Sequence, residues 1–166
     1  MSEFNIQVNT SPQLFLKNGN DFLEAAWRCA GRDENGAVQI IKDGTLVMIP
    51  SATVVNAAFS IEMFLKAILR KTGIKYPERG RDGHDLAKLF KLLEGNQLET
   101  TIINRFSGYS REGTPLFEEF AKRHAEDFVN IRYYVEKAGW AEMDPLTVIS
   151  FAFNLGQAAK YIVNDN

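Results

Sequence analysis

Cysteine and histidine are scarce in this sequence, which has one cysteine, Cys29, and two histidines, His84 and His124. A single cysteine cannot form an intramolecular disulfide or a thiolate cluster, and so few nitrogen and sulfur ligands argue against a zinc site. We therefore expect neither a metal nor another cofactor. A basic surplus is also lacking, because 19 Lys and Arg face 21 Asp and Glu for a net charge of −2. This balance argues against non-specific coating of nucleic acid, although a local basic cleft remains compatible with it.

Several other signals are missing. The N-terminus has no basic region followed by an apolar core, so no export signal is expected, and no uninterrupted apolar run is long enough to span a bilayer. Glycine-rich phosphate loops and the Gly-x-Ser-x-Gly elbow do not occur. No repeat or linker divides the chain. These absences predict one cytoplasmic domain, residues 1–166, without a membrane segment or a self-sufficient catalytic signature.

Hydrophobic periodicity predicts a mostly helical domain. Residues 1–19 are predicted to be a polar lead-in, with Asn20 as the N-cap of a first helix that Gly31 ends. The segment 51–72 carries an apolar arc wider than one amphipathic stripe, so we expect it to be a core helix that contacts several neighbours. Further helices are predicted at 84–93, 97–111, 116–137 and 145–163.

Some local signals refine these predictions. Asp82 is a candidate N-cap for the short helix at 84–93, and Asp144 followed by Pro145 predicts the start of the last helix. Gly156 lies inside that helix at a cost of about 1 kcal/mol relative to alanine, which indicates a close approach of two helices. Cys29 falls in an apolar helical run, which favours a buried, inert thiol.

The apolar residues of segment 38–49 do not follow the helical spacing of the other segments. Two runs rich in β-branched residues flank Lys42-Asp43-Gly44. Asp-Gly between such runs is a strong hairpin signal, because a type I′ turn needs positive φ at both central positions. We predict a β-hairpin that packs against the helices or a partner chain.

Charged residues on the core helix have two interpretations. Glu62, Lys66 and Arg70 follow one another at intervals of four, on the side away from the apolar arc. A Glu-Lys pair at this spacing is a common surface stabiliser of helices, but the same pair can line a ligand cleft. His84, at the entrance of the short helix, either contacts a ligand or is held by a backbone group or a neighbouring carboxylate. His124, on the apolar stripe of 116–137, is predicted to be a core or interface residue.

Three stretches of the chain resemble one known family. They are Ala57-Ala58-Phe59-Ser60-Ile61-Glu62-Met63-Phe64-Leu65-Lys66-Ala67-Ile68-Leu69, Gly83-His84-Asp85-Leu86 and Asn130-Ile131-Arg132-Tyr133. In this order they resemble motifs of the HEPN superfamily, small helical-bundle domains of prokaryotic toxin–antitoxin, abortive-infection and nucleotidyltransferase-associated systems. The resemblance covers about residues 51–163 and implies an all-α fold, a four- or five-helix bundle to which the hairpin at 38–49 is an insertion.

The resemblance also implies a function. Members of the superfamily form homodimers, and many have a cleft between subunits that engages a nucleotide or RNA. In this chain the matching ligand-binding residues are Glu62, Lys66, His84, Asn130, Arg132 and Tyr133. The expected partners are a second copy of the chain, a nucleotide or RNA, and a nucleotidyltransferase or antitoxin of a toxin–antitoxin or phage-defence system.

Ribonuclease members of the superfamily carry an arginine and, four to six residues later, a histidine. Arg132 matches the arginine, but the positions of the histidine hold Lys137, Ala138 and Gly139, so standard ribonuclease activity is not expected. One alternative is a metal-independent ribonuclease in which Arg132 acts with His84 or Lys137. The other is a dimeric scaffold whose hairpin recruits a second protein. An Arg-x4-His string from Arg79 to His84 also occurs, but it lies away from the family's position for this motif.

Overall fold

A computed structural model of the chain describes residues 11–32, 48–78, 81–93 and 144–164. This part of the chain is mostly helical, which confirms the all-α expectation at the level of fold class. Its helices are α1 (Pro12–Cys29), α2 (Pro50–Lys71), a 3₁₀ turn (Arg81–His84), α3 (Leu86–Lys91) and α4 (Pro145–Asn164). The predicted turn of the hairpin and the predicted helices at 97–111 and 116–137 lie outside the described residues, while Met48 and Ile49 lead into α2 without regular structure.

Helix α1 begins earlier than the sequence predicts. Ser11 is its N-cap and accepts a hydrogen bond from the Leu14 N–H at 3.2 Å, and proline follows at the first helical position. The prediction of Asn20 as N-cap was therefore wrong, as was a lead-in that extends to residue 19. The Asn18-Gly19-Asn20 stretch is tolerated inside the helix because Gly19 packs against α2. Gly31, with φ of 70°, ends the helix as predicted.

Helix α2 is the core helix, as predicted. Thirteen of its residues are buried, and it packs against α1, α3 and α4. Phe64 lies fully buried between α1 and α4. A Cβ atom added to Gly19 would lie 2.5 Å from this ring, and one added to Gly156 would lie 2.8 Å from it. The two glycines thus allow α1 and α4 to close on the opposite sides of one aromatic ring, which confirms the close approach predicted at Gly156.

Helix α4 begins as the sequence predicts. The Asp144 carboxylate accepts hydrogen bonds from the Thr147 N–H at 3.0 Å and the Thr147 hydroxyl at 2.6 Å, and Pro145 occupies the first turn. The carboxylate satisfies a backbone donor that has no partner within the helix and interacts favourably with the helix dipole.

Helix α3 is shorter than predicted, and its cap is a different residue. The Asp85 side chain accepts from the Lys88 N–H at 3.0 Å and is the N-cap. Asp82 lies in the 3₁₀ turn and forms an ion pair with Lys88 instead, so its assignment as N-cap was wrong. The turn occupies residues 81–84 because Asp85, in extended conformation, separates it from the helix.

Two further expectations concern membrane segments and Cys29. By length and composition alone, α2 and α4 are apolar enough to cross a membrane, although the charged residues Glu62 and Lys66 interrupt the apolar run of α2. This is weak evidence of a span, because core helices of soluble proteins pass the same test and 72% of the α2 window is buried inside the fold. Cys29 is only partly buried rather than enclosed, and the Asn56 amide lies 3.9 Å from its sulfur.

Candidate functional site

The candidate site begins with a carboxylate in the middle of the core helix. Glu62 is 1% exposed and Lys66, one turn later, is 5% exposed, whereas Arg70 lies at the surface. The three residues follow one file of α2, as predicted, but the first two are buried, so this side of the helix does not face solvent there. The surface interpretation of the Glu-Lys pair was therefore wrong, because other parts of the chain cover this side of α2.

Because both charged groups are buried, each needs a partner to offset the loss of hydration. The Lys66 ammonium donates to Oε1 of Glu62 at 2.8 Å, with side-chain exposures of 6% and 2%. The spacing of four residues on one helix brings the two groups together, as the sequence predicts. Burial strengthens the electrostatic attraction between the two charges, since water screens it little, and also removes both charges from water at a cost.

His84 joins this pair from another element. Its Nδ1 lies 3.0 Å from the same Oε1 of Glu62, while 43% of its side chain is exposed. This contact agrees with one of the two interpretations of His84, in which a neighbouring carboxylate holds the ring. A ligand contact through the rest of the ring stays compatible with it, because nearly half of the side chain faces outward.

The Gly-His-Asp-Leu stretch explains how the ring reaches α2. Gly83 is buried where a Cβ would lie 2.7 Å from the Pro77 carbonyl oxygen, so a larger residue would push the turn away. Asp85 caps α3, and Leu86 packs into the core at 3% exposure. These three neighbours fix the backbone on both sides of His84 and hold its side chain over Glu62.

The electrostatics of the cluster keep the carboxylate ionised. Burial alone would raise the pKa of Glu62, but the hydrogen bonds and charges of Lys66 and His84 outweigh it and lower the pKa below its ordinary value of 4.5. At neutral pH the carboxylate is therefore only an acceptor. The Nδ1 atom of His84 must then carry the proton, which leaves Nε2 of the neutral ring with its lone pair.

The chemistry of such a cluster is defined by its donors. Lys66 brings an ammonium group, His84 brings a ring that is either a donor or an acceptor at Nε2, and Glu62 orients both. Phosphate and hydroxyl groups are natural ligands for this combination. The structure thus brings together three of the residues that the sequence proposes for ligand binding.

The other proposed site residues, Asn130, Arg132 and Tyr133, lie outside the described residues, as do Lys137 and Arg79. Tyr76 is a partly buried residue with a buried hydroxyl, which sequence inspection does not identify. Its hydroxyl has no hydrogen-bond partner within the described residues, and burial raises its pKa above the ordinary 10. The one hint is its position in Ile74-Lys75-Tyr76-Pro77, where apolar residues interrupt a polar loop.

Comparison with protein-family models, curated proteins and solved structures finds no match to this chain. The similarity to the HEPN superfamily therefore stays a prediction that rests on the three stretches quoted above.

Proposed function

We propose that this chain is a HEPN-like domain that binds a nucleotide or RNA as a homodimer and lacks standard HEPN ribonuclease activity. Glu62, Lys66 and His84 line the ligand cleft, together with Asn130, Arg132 and Tyr133. The observation that carries the proposal is the meeting of a buried ion pair and a half-exposed histidine on one carboxylate oxygen.

Stability alone gives little reason for this arrangement. Replacing a buried ion pair with well-packed apolar residues is often neutral or stabilising, because desolvation of the two charges offsets their attraction. Helix α2 is otherwise rich in buried apolar side chains. The two buried charges therefore favour a role in recognition, and the half-exposed His84 gives a ligand access to them.

The proposal is tested by titrating the purified protein with mononucleotides and short RNAs. We expect binding that weakens at least about tenfold in Lys66→Met, since loss of a hydrogen bond to a charged group corresponds to such a factor. Lys160→Met is the matched control, because Lys160 is exposed on α4. Absence of binding at millimolar nucleotide and micromolar RNA would refute the proposal.

The homodimer and the biological setting rest on the family resemblance. Light scattering coupled to size exclusion tests the dimer, which predicts twice the mass of the 18.7 kDa chain. The proposed setting is a toxin–antitoxin or phage-defence system, in which a nucleotidyltransferase or an antitoxin binds this domain. Co-expression with the product of an adjacent gene of either kind, followed by co-purification, tests that partner.

A metal-independent ribonuclease is the second candidate, and the anchoring of His84 favours it. An ionised carboxylate on Nδ1 fixes the tautomer in which Nε2 can accept a proton from a ribose hydroxyl. This reading predicts cleavage of RNA in the presence of a chelator and its loss in His84→Ala and Arg132→Ala. Cleavage that never occurs, or that survives both substitutions, would remove the candidate.

A further inference from the structure

The Lys66 ammonium has unused hydrogen-bonding capacity. It carries three N–H donors, and one of them is directed at Glu62. Within the described residues no other partner receives the remaining two, although the side chain is 6% exposed. An ammonium buried to this degree ordinarily has its donors satisfied. The two donors therefore mark a place where an acceptor from outside the described residues fits.

His84 supplies a second donor beside the first when its ring is protonated. Its Nδ1 is engaged by Glu62, and its Nε2 has no partner in the described part of the chain. Lys66 Nζ and His84 Nδ1 contact the same carboxylate oxygen, at 2.8 and 3.0 Å, so the ammonium and the imidazole ring are neighbours. One of the two groups is deep and the other lies at the rim, which is an arrangement suited to an anion that enters from the surface.

We propose that the Lys66 ammonium and the Nε2–H of protonated His84 bind the same phosphodiester group of RNA, so that protonation of His84 strengthens this binding. The inference rests on the proposed function and names the chemical group and the regulation of that site. Glu62 is a positioning residue, because it holds both donors and does not itself contact the anion. A Glu-Lys ion pair likewise holds the phosphate-contacting lysine of protein kinases.

The charge of His84 matters for the binding of an anion, because the charged groups around it pair with one another. Glu62 and Lys66 face it from α2, and their charges compensate each other. On its own side Lys88 pairs with Asp82 and lies 3.8 Å from Asp85. Carboxylates and lysines at ordinary pKa values keep their charge between about pH 5.5 and pH 8. Proton-dependent binding in this range that His84→Gln abolishes is therefore assigned to the ring.

The test measures the affinity for a short oligouridylate at about pH 5.5 and about pH 8, which bracket the titration of histidine. Uridine and the phosphodiester group keep their charge across this range, so the probe contributes no pH dependence. We expect binding at least about tenfold tighter at the lower pH, the factor that one charge-assisted hydrogen bond supplies. Fluorescence anisotropy at constant ionic strength provides the measurement, because phosphate contacts depend on salt.

Variants separate the role of His84 from a structural one. At both pH values, His84→Gln is expected to bind RNA as weakly as the wild-type protein does at pH 8. His84→Arg is expected to bind tightly at both pH values. His124→Gln is the control, since His124 is the other histidine of the chain, and it should retain the pH dependence. Circular dichroism verifies that each variant is folded.

The outcomes distinguish this inference from the proposed function. RNA binding that does not change with pH, or a pH dependence that survives in His84→Gln, overturns the inference and leaves the proposed function standing. Weak binding by folded His84→Arg at both pH values also overturns it. Absence of RNA binding at any pH removes the inference, and the nucleotide titration then decides whether the proposed function survives.

Discussion

Because Phe64 packs between two glycines, we expect a glycine-to-alanine substitution beside it to destabilise the protein. Helix propensity alone would predict the opposite. Replacing a helical glycine with alanine ordinarily stabilises a protein by about 1 kcal/mol. At Gly19, however, the new Cβ would lie 2.5 Å from two carbon atoms of the Phe64 ring, well inside the usual carbon–carbon separation of about 3.5–4.0 Å. The ring cannot retreat freely, because Gly156 closes on its other side.

We expect Gly19→Ala to lower the free energy of unfolding by about 1–2 kcal/mol, since overpacking of a core costs about 1–3 kcal/mol and propensity offsets part of this. In a Phe64→Leu background the obstructing ring atoms are removed. The same substitution should then be neutral or stabilising by up to about 1 kcal/mol. The coupling energy between positions 19 and 64 is accordingly expected to be about 2 kcal/mol, within the range for residues in contact.

Urea unfolding followed by circular dichroism measures all four proteins of this cycle. Ser150→Ala, at an exposed position of α4, is a control for alanine in a helix without an overlapping neighbour. If Gly19→Ala stabilises the wild-type chain, or if its effect is the same with Phe64 and with leucine, the described packing of α1 on α2 is refuted.

Three further predictions concern polar groups. Because the pKa of Glu62 is lowered, its contribution to stability is present above pH 4.5 and is lost as the pH falls through the folded-state value, so the stability difference between wild type and Glu62→Gln should narrow in acid. Urea titrations from neutral to acidic pH measure that difference, and a difference that stays constant would contradict the lowered pKa of Glu62. Tyr76→Phe should raise the free energy of unfolding by about 1 kcal/mol, because it removes a buried hydroxyl that lacks a partner in the described residues; a loss of stability on chemical denaturation would show that the hydroxyl is satisfied. Asp85→Ala should cost about 1 kcal/mol through loss of the α3 cap, whereas Asp82→Ala should cost less, and equal losses in thermal unfolding would contradict the cap assignment.

Much of the fold follows from local sequence. Helices α2 and α4 are long and strongly periodic, and proline or glycine marks their ends, so their predicted bounds agree with the structure within a few residues. The start of α1 was mispredicted because Asn18-Gly19-Asn20 has the composition of a turn. A tertiary contact, the approach of Gly19 to Phe64, overrides that local preference.

The site is less accessible to prediction, for a physical reason. Spacing on one helix predicts that Glu62 and Lys66 pair, but burial depends on which segments cover that side of α2, and periodicity carries no such information. The contact of His84 with Glu62 joins residues 22 positions apart. The sequence limits His84 to a few partners, and only the fold selects the buried carboxylate among them.

The central claim is that buried, ionised Glu62 holds the half-exposed His84 by Nδ1 and leaves Nε2 without a proton in the neutral ring. Nitrogen-15 NMR of the histidine side chains measures this tautomer directly at a pH where the ring is neutral. The account predicts that His84 carries its proton on Nδ1, and that Glu62→Gln shifts the ring toward the Nε2-protonated form. A His84 ring protonated on Nε2 in the wild-type protein, unchanged by Glu62→Gln, would contradict it.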